Sequence, residues 1–446
     1  MADPLPAIKW QPGYVYPPVF NPPHFHLGPL HSLLFAAIAI AVGYLTYRRP
    51  ALGVGAMIVC LPFAEARFIF GTSITIPKAA FAGFVIALLL HRPSLRILSD
   101  RVVRMVIIAF ALVMVTIAIS AISAQYHGQV VRELAKWIAY GVTFLAAAIA
   151  FDNDPDDRPI WRALIGIAIL ESLYAIVQLF IGAPSGVVVH DQVWPRVSGS
   201  LEGPNQFAGW LNLIFPVLLA RSMTDRNRWL VTATALSGIA TILTLSRSGI
   251  VAGFIGAIVV LILARPPKKV GLRFASIVAI IVVTLVGLGL MARLEARFFS
   301  LAEVSTPNHL GTRAILWTSA LELWQRSPIT GIGAGNYELE LGLVGHPDVH
   351  THANSLYLQT LAETGVVGLA AILFLLYESI VPFVQRYSRR ALVIGVGGAN
   401  LALALHQIFD YMWFYPKVGG LWCLLLGIGI VELLASRDDV GILPQS

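Results

Sequence analysis

The chain has 446 residues, of which 57% are hydrophobic and only 12% are charged, and its formal net charge is +7. A soluble domain carries about 25% charged residues, so this composition excludes a soluble globular protein. The two cysteines, Cys60 and Cys423, both lie in apolar stretches, which supports neither a disulfide framework nor a zinc cluster. The basic residues lie between apolar stretches instead of along one stripe, which indicates membrane topology and not nucleic-acid binding.

Apolar stretches of about 20 residues, the length that crosses a bilayer as a helix, recur along the chain. They predict an all-α fold, a polytopic transmembrane helical bundle of 12 to 13 spans. We predict spans at residues 29–47, 51–67, 75–91, 103–123, 134–151, 160–181, 206–221, 228–245, 249–264, 272–292, 355–384, 390–408 and 417–436. The stretch 51–67 contains Pro62, Glu65 and Arg67, and if it only re-enters the membrane the number of spans is twelve.

These stretches divide the chain into five parts. Residues 1–28 are rich in proline and aromatic residues and predict an irregular arm at the membrane surface instead of a cleavable signal peptide. The bundle of the first ten spans occupies 29–292, a long loop occupies 293–353, the last three spans occupy 354–438, and a tail occupies 439–446. In the loop, Gly311–Arg326 has apolar residues at helical spacing, which predicts an amphipathic helix lying against the outer leaflet with Arg313 in its first turn.

The stretch from Trp229 to Ala264 is too long for a single crossing. Its break is predicted at Ser246-Arg247-Ser248-Gly249, which places Arg247 in a tight turn at one membrane face. Small residues suit such a turn, but nothing about turning requires an arginine. Arg247 is therefore a candidate site residue, with snorkelling of its side chain to the headgroups as the alternative.

Loop charges predict the orientation of the bundle. Nineteen Lys and Arg residues fall on one side and eleven on the other, and the excess marks the cytoplasm. The less basic, outer side is then expected to hold four candidate residues: Arg196, Arg247, Arg313 and His352.

Polar residues precede two of the predicted spans on this outer side. Arg196 and Asn205 flank a glycine-containing segment, and a helix amino terminus beside an arginine is a ready anion site, although a simple glycine turn is the alternative. His350 and His352 precede a long apolar helix, where a histidine could act as a general base. A metal site or a polar cap remains possible for this segment, but its His and Asp spacing matches no known ligand set. Asp410 could orient His352 or an arginine, or simply begin an aromatic belt.

Four short motifs stand in order over residues 190–410. They are Arg196…Gly199…Pro204-Asn205, Ser246-Arg247-Ser248-Gly249, Arg313…Trp317 with Thr330-Gly-Ile-Gly-Ala-Gly-Asn336, and His352-Ala-Asn-Ser-Leu-Tyr-Leu-Gln-Thr-Leu-Ala-Glu-Thr-Gly365. This arrangement resembles the O-antigen ligase and polymerase superfamily, whose members are membrane glycosyltransferases of the GT-C kind. The resemblance implies transfer of a glycan from undecaprenyl diphosphate at the periplasmic face of the bacterial inner membrane, without a cofactor, a nucleotide sugar or a metal.

Carried onto this chain, the resemblance implies that Arg247 and Arg313 bind the diphosphate with help from Arg196, and that His352 is catalytic. Possible supporting residues are Asn205, His350, Asn354, Asp410 and Arg67. Many members place an asparagine directly after the histidine, whereas Ala353 follows it here, so either His350 or His352 could be the base.

The sequence is compatible with three functions. The first is O-antigen ligation to lipid A-core by an inverting reaction, and the second is polymerisation of O-antigen or exopolysaccharide, with a second lipid-linked glycan as acceptor. The third is transport of a polysaccharide or anionic lipid, for which a mid-membrane site between repeats would be typical. The polar residues gather at one face and no repeat is visible, which favours a transferase that contacts membrane lipids and lipid-linked glycans.

Overall fold

A computed structural model describes residues 29–63, 66–69, 72–183, 185–189, 192–225, 227–265, 309–385 and 388–440. The predicted arm 1–28, the predicted span 272–292 and most of the predicted tail 439–446 lie outside these described residues.

The described chain is built from helices and two short hairpins. Its fourteen α-helices are α1 (Pro29–Arg48), α2 (Pro50–Cys60), α3 (Ile76–Leu90), α4 (Arg101–Ser120), α5 (His127–Asn153), α6 (Arg158–Ile181), α7 (Pro204–Ser222), α8 (Arg228–Leu243), α9 (Arg247–Ala264), α10 (His309–Arg326), α11 (Tyr337–Glu340), α12 (Leu356–Gln385), α13 (Ala391–His406) and α14 (Pro416–Val440). Short 3-10 helices occupy Arg96–Ser99, Leu341–Val344 and Met412–Phe414. The antiparallel hairpins pair β1 (Ala66–Ile69) with β2 (Thr72–Thr75), and β3 (Ser185–Val189) with β4 (Gln192–Arg196).

Six of the described helices are long and apolar enough to cross a membrane, namely α4, α5, α6, α9, α12 and α14. Shorter apolar helices lie at most of the other predicted spans. The prediction of an all-helical, polytopic bundle is therefore confirmed, and the chain is a multi-pass membrane protein.

The predicted span 51–67 is wrong. Helix α2 ends at Cys60 after 11 residues, a length of about 16 Å that cannot cross about 30 Å of hydrocarbon. Pro62 has no N–H to continue the helical hydrogen bonds, and the chain passes instead into the β1–β2 hairpin.

A polar segment between β4 and α7 packs against the end of α2. The Ser200 hydroxyl donates to the main-chain oxygen of Pro62 at 3.0 Å, and the Ser200 N–H donates to the buried Glu171 carboxyl at 2.9 Å. Gln178 accepts from Ser198 N–H at 3.0 Å and from Gly199 N–H at 3.1 Å. Irregular backbone beside membrane helices is tolerated only where protein groups satisfy it, and α6 supplies those groups here.

Ion pairs gather the loops at one end of the bundle. Arg49, between α1 and α2, contacts Asp154 at 2.7 Å and Asp156 at 3.0 Å in the loop between α5 and α6. Arg221, at the end of α7, lies 3.8 Å from Asp157 in the same loop. All of these residues belong to the side on which the sequence places most of its cations, so the loops assigned to that side do lie together.

The predicted break between Trp229 and Ala264 is confirmed. Helix α8 ends at Leu243 and α9 begins at Arg247. Leu245 between them has a positive φ of 51°, the left-handed conformation that reverses the chain. Arg247 is thus the first residue of α9 instead of a residue within the turn.

The predicted helix of the long loop is present as α10, but its apolar face contacts protein. Leu316, Ala320 and Leu323 are buried in a second, smaller core together with residues of α11 and α12. The Tyr337 hydroxyl donates to the main-chain oxygen of Leu316 at 2.6 Å and ties α11 to α10. The expectation that this face lies on the outer leaflet is therefore wrong, because α12 and α11 cover it.

Candidate functional site

The site lies at the end of the bundle opposite the ion pairs, where α10, the segment before α12 and the segment after α13 meet. His352 is buried at 7% exposure. Its Nε2 lies 3.0 Å from the Tyr415 hydroxyl and 4.0 Å from Asp410 Oδ1. A histidine that the sequence places before α12 thus meets two residues about sixty positions later in the chain.

The backbone after His352 fixes the orientation of its ring. Asn354 has a positive φ of 50°, which asparagine tolerates better than most residues. This conformation brings the Asn354 N–H to His352 Nδ1 at 3.1 Å.

Aromatic rings enclose the imidazole. The centroids of Tyr411, Phe414 and Tyr415 lie 6.3, 5.4 and 5.9 Å from that of His352. Burial lowers the pKa of His352, while the nearby Asp410 carboxylate opposes this and the Arg313 guanidinium adds to it. The neutral imidazole is therefore favoured near pH 7.

Two arginines bring positive charge to the same place. Burial lowers the pKa of Arg313, whereas the negative charge of Asp410 raises it. Because Asp410 acts on Arg313, α10 lies close to the segment after α13. Arg247 lies close enough to Arg313 for the two guanidinium charges to repel. Within the described part of the chain, no hydrogen bond or ion pair holds either guanidinium. Two neighbouring cations that are partly buried without such partners form a site suited to an anion.

Arg196 and Asn205 lie beside this pair and support it. Arg196 Nε donates to the main-chain oxygen of Thr244 at 2.8 Å, and Nη2 donates to Asn205 Oδ1 at 2.8 Å. These bonds join β4 and the start of α7 to the turn that precedes Arg247. The next residue, Gln206, lies beside Tyr415 and so brings the start of α7 close to His352.

Gly249 allows the helices below Arg247 to approach closely. A Cβ atom at this position would lie 2.5 Å from Ala208 Cβ on α7 and 3.2 Å from His406 Cε1 on α13. Asn212 Nδ2 donates to the main-chain oxygen of Gly249 at 3.0 Å and lies 3.4 Å from His406 Nδ1. The glycine of the predicted turn therefore serves the packing of α7, α9 and α13.

Several polar atoms around the site are buried and lack a hydrogen-bond partner among the described residues. They are Asp410 Oδ2, His406 Nε2, Ser246 Oγ and Trp317 Nε1. Such atoms are costly unless a ligand or water satisfies them, which supports a binding site here.

A small polar cavity adjoins the site behind Tyr411. Its volume is about 20 Å³, and Glu133, Glu363 and Trp137 are among the residues that line it. That volume suits a single water molecule and is too small for a sugar.

The structure also places the remaining predicted residues. His350 is exposed and lies near Glu338, whose pKa is raised mainly by burial while His350 acts against that shift. Arg67 lies on β1 opposite Ile74. The segment of the chain that the structure describes contains no group of three His, Cys, Asp or Glu side chains arranged to hold a metal ion.

Sequence reasoning did not select Tyr415, Gln206 or His406 for the site. His406 lies four residues before Asp410, a helical spacing that could have marked it, but Tyr415 and Gln206 carry no comparable signal. Tyr415 meets His352, and Gln206 meets Tyr415, only through contacts between distant parts of the chain.

The segment from α8 to α12 contains Arg247 and His352, two residues of this site. Residues 232–373 match the Wzy_C family model, described as O-antigen ligase. This segment is similar to the O-antigen ligase family. It contains Arg247, Arg313 and His352, whereas Arg196 and Asp410 contribute from outside it. The family includes O-antigen ligases and polymerases. No curated protein matches the chain.

Proposed function

We propose that the protein transfers a glycan from undecaprenyl diphosphate to lipid A-core at the periplasmic face of the bacterial inner membrane. The observation that carries this proposal is the proximity of Arg247 and Arg313, two cations from separate elements whose guanidinium groups make no hydrogen bond or close ion pair with the described residues. The match of residues 232–373 to the O-antigen ligase family model supports a lipid-linked glycan as substrate.

The two arginines would bind the diphosphate of the donor. Arginine binds phosphate oxygens through a fork of N–H groups, and its charge persists at any relevant pH. As the bond between the anomeric carbon and the diphosphate breaks, negative charge grows on the departing oxygen, and fixed cations stabilise it. The guanidinium pair can supply the charge that a divalent metal supplies in other transferases.

The catalytic residue would be His352, with Asp410 beside it. Both lie close to Arg313, so an acceptor hydroxyl held there would face the anomeric carbon of a donor bound by the arginines. Attack on the face opposite the diphosphate inverts the anomeric configuration. Arg196 and Asn205 would act by holding the turn before Arg247, and Asn354 by holding the imidazole.

Purified protein tests this function directly. It is incubated in detergent with a glycan on undecaprenyl diphosphate and either lipid A-core or a second copy of the lipid-linked glycan. We expect transfer to lipid A-core, with loss of transfer in Arg247→Ala and His352→Ala variants that still elute as folded protein. Transfer only to the second lipid-linked glycan would identify a polymerase, and absence of transfer to either acceptor would contradict the proposal.

Arg228→Ala is a matched control for Arg247→Ala. Arg228 is the first residue of α8, as Arg247 is of α9, but it is exposed at the opposite end of the bundle. Its replacement is expected to leave transfer unchanged.

A further inference from the structure

We propose that Asp410 takes up the proton of the acceptor hydroxyl, and that His352 acts as a hydrogen-bond donor fixed in the tautomer that carries its proton on Nε2. This inference rests on the proposed glycan transfer. It changes the role expected from the sequence, in which His352 is the general base.

The hydrogen bonds of the imidazole determine its tautomer. The backbone N–H of Asn354 points at Nδ1 from 3.1 Å, and an N–H can only donate. Nδ1 must therefore hold a lone pair. A neutral imidazole with an unprotonated Nδ1 carries its proton on Nε2, so Nε2 donates to the Tyr415 hydroxyl 3.0 Å away. A nitrogen that already carries a proton cannot accept a second one from the substrate.

A buried relay keeps the Asn354 N–H in place. The N–H of Ala353 donates to Gln359 Oε1 at 2.7 Å, and Gln359 Nε2 donates to Glu363 Oε1 at 2.9 Å. Glu363 Oε1 also accepts from Tyr337 N–H at 3.4 Å, so this oxygen is an acceptor and the Gln359 amide can point only one way. The backbone beside His352 is thereby held from α12.

The position of Glu363 is fixed in turn by residues 330–336 of the long loop, which contain three glycines. The Ile332 N–H donates to the main-chain oxygen of Ala362 at 2.9 Å, and the Gly333 N–H donates to that of Glu363 at 3.0 Å. Gln359 and Glu363 are 2% and 4% exposed, so water does not compete for these bonds. Turning the ring to free Nδ1 would break both of its hydrogen bonds, to the Asn354 N–H and to the Tyr415 hydroxyl.

Asp410 offers the acceptor atom that His352 lacks. Its Oδ1 accepts the Tyr411 N–H at 2.7 Å and faces His352 Nε2 at 4.0 Å. Its Oδ2 is buried and has no hydrogen-bond partner among the described residues. The positive charge of Arg313 attracts this carboxylate. A hydroxyl that donates to Oδ2 would satisfy an atom that is otherwise costly to bury.

The acceptor oxygen forms a bond to the anomeric carbon, and the bond from that carbon to the diphosphate breaks, with its electron pair leaving on undecaprenyl diphosphate. The proton of the acceptor hydroxyl passes to the Asp410 carboxylate. His352 keeps its own proton throughout, and its Nε2–H remains donated to the Tyr415 hydroxyl.

Nitrogen NMR of the wild-type protein tests the tautomer without any assay of transfer. Protein labelled with ¹⁵N-histidine is studied in detergent near pH 7.5, and the His352 signals are assigned by their loss in a His352→Gln variant. We expect a protonated Nε2 and an unprotonated Nδ1. A proton on Nδ1 would overturn the inference.

Matched variants test the division of roles. Glutamine at position 352 retains an N–H donor but cannot take up a proton, so His352→Gln is expected to keep transfer within about tenfold of wild type, well above His352→Ala. Asp410→Asn is expected to lose transfer about a thousandfold, within the range of general-base effects. Exposed His127→Gln and Asp348→Asn are controls that should leave transfer unchanged.

The opposite pattern would overturn the inference, namely a His352→Gln variant as inactive as His352→Ala beside an active Asp410→Asn. Thermal unfolding in detergent shows whether each variant folds, and the NMR result on wild type decides the tautomer if one does not. Failure of wild-type protein to transfer any glycan would instead reject the proposed function, and the tautomer would still be measured.

Discussion

Arg196 donates through Nε to the main-chain oxygen of Thr244 at 2.8 Å, three residues before the arginine that we assign to the donor diphosphate. The same guanidinium holds Asn205 at the start of α7 at 2.8 Å. Arg196, which the sequence predicts to bind an anion, thus has a structural role, because it positions Arg247. The site is assembled from the turns before helices as much as from the helices themselves.

Replacing Arg196 by lysine should weaken this support. A lysine cannot reach both acceptors with a fixed fork, so at least one hydrogen bond of about 1–2 kcal/mol is lost and the turn before Arg247 loosens. We expect Arg196→Lys to lower glycan transfer about tenfold. Arg132→Lys, an exposed arginine on α5, is the control, and equal transfer by both variants would contradict the positioning role.

Arg247 and Arg313 should act as one unit on the donor. Each single change to glutamine is expected to reduce kcat/KM about 10²- to 10³-fold, the usual effect of removing one donor to a developing charge. The double variant should lose far less than the product of the two effects, because both side chains hold the same diphosphate. Multiplicative losses in this double-mutant cycle would show that the arginines act at separate places.

Gly249→Ala should destabilise the protein. The added methyl group would lie 2.5 Å from Ala208 Cβ, so α7 and α9 must move apart, at a cost of about 1–3 kcal/mol. Thermal unfolding in detergent measures the change. Gly166→Ala on the exposed face of α6 is the control, because nothing lies within 4 Å of its added methyl. An unfolding temperature for Gly249→Ala as high as that of this control would contradict the close packing.

His352 should make the stability of the protein depend on pH. Burial lowers the pKa of His352 below its ordinary value of 6.5, so between these two values the unfolded chain binds a proton that the folded protein does not. Stability is therefore complete above about pH 6.5 and falls as the pH drops towards the folded pKa. The His352→Gln variant lacks this contribution, and its unfolding temperature should decline less between about pH 7 and pH 5. Identical declines would show that His352 is not buried in its neutral form.

The sequence predicted those features that depend on local length and composition. The break before Arg247 followed from a stretch too long for one crossing, and the helix that carries Arg313 followed from the spacing of its apolar residues. The failure of residues 51–67 to cross, which Pro62 indicates, was left as an alternative. The hydrogen bonds from Ser200 to Glu171 were missed, because they join residues far apart in the chain. Tyr415 and Gln359 could not be predicted as site residues for the same reason. Each is important only because it contacts the segment around His352.

The most direct test of the account is a cryo-electron microscopy structure of the purified protein with undecaprenyl diphosphate bound. We predict density for the diphosphate between Arg247 and Arg313, within hydrogen-bond distance of both guanidinium groups and on the same side as Asp410 and His352. A diphosphate bound elsewhere, or contacting neither arginine, would contradict the claim that this cationic pair is the donor site.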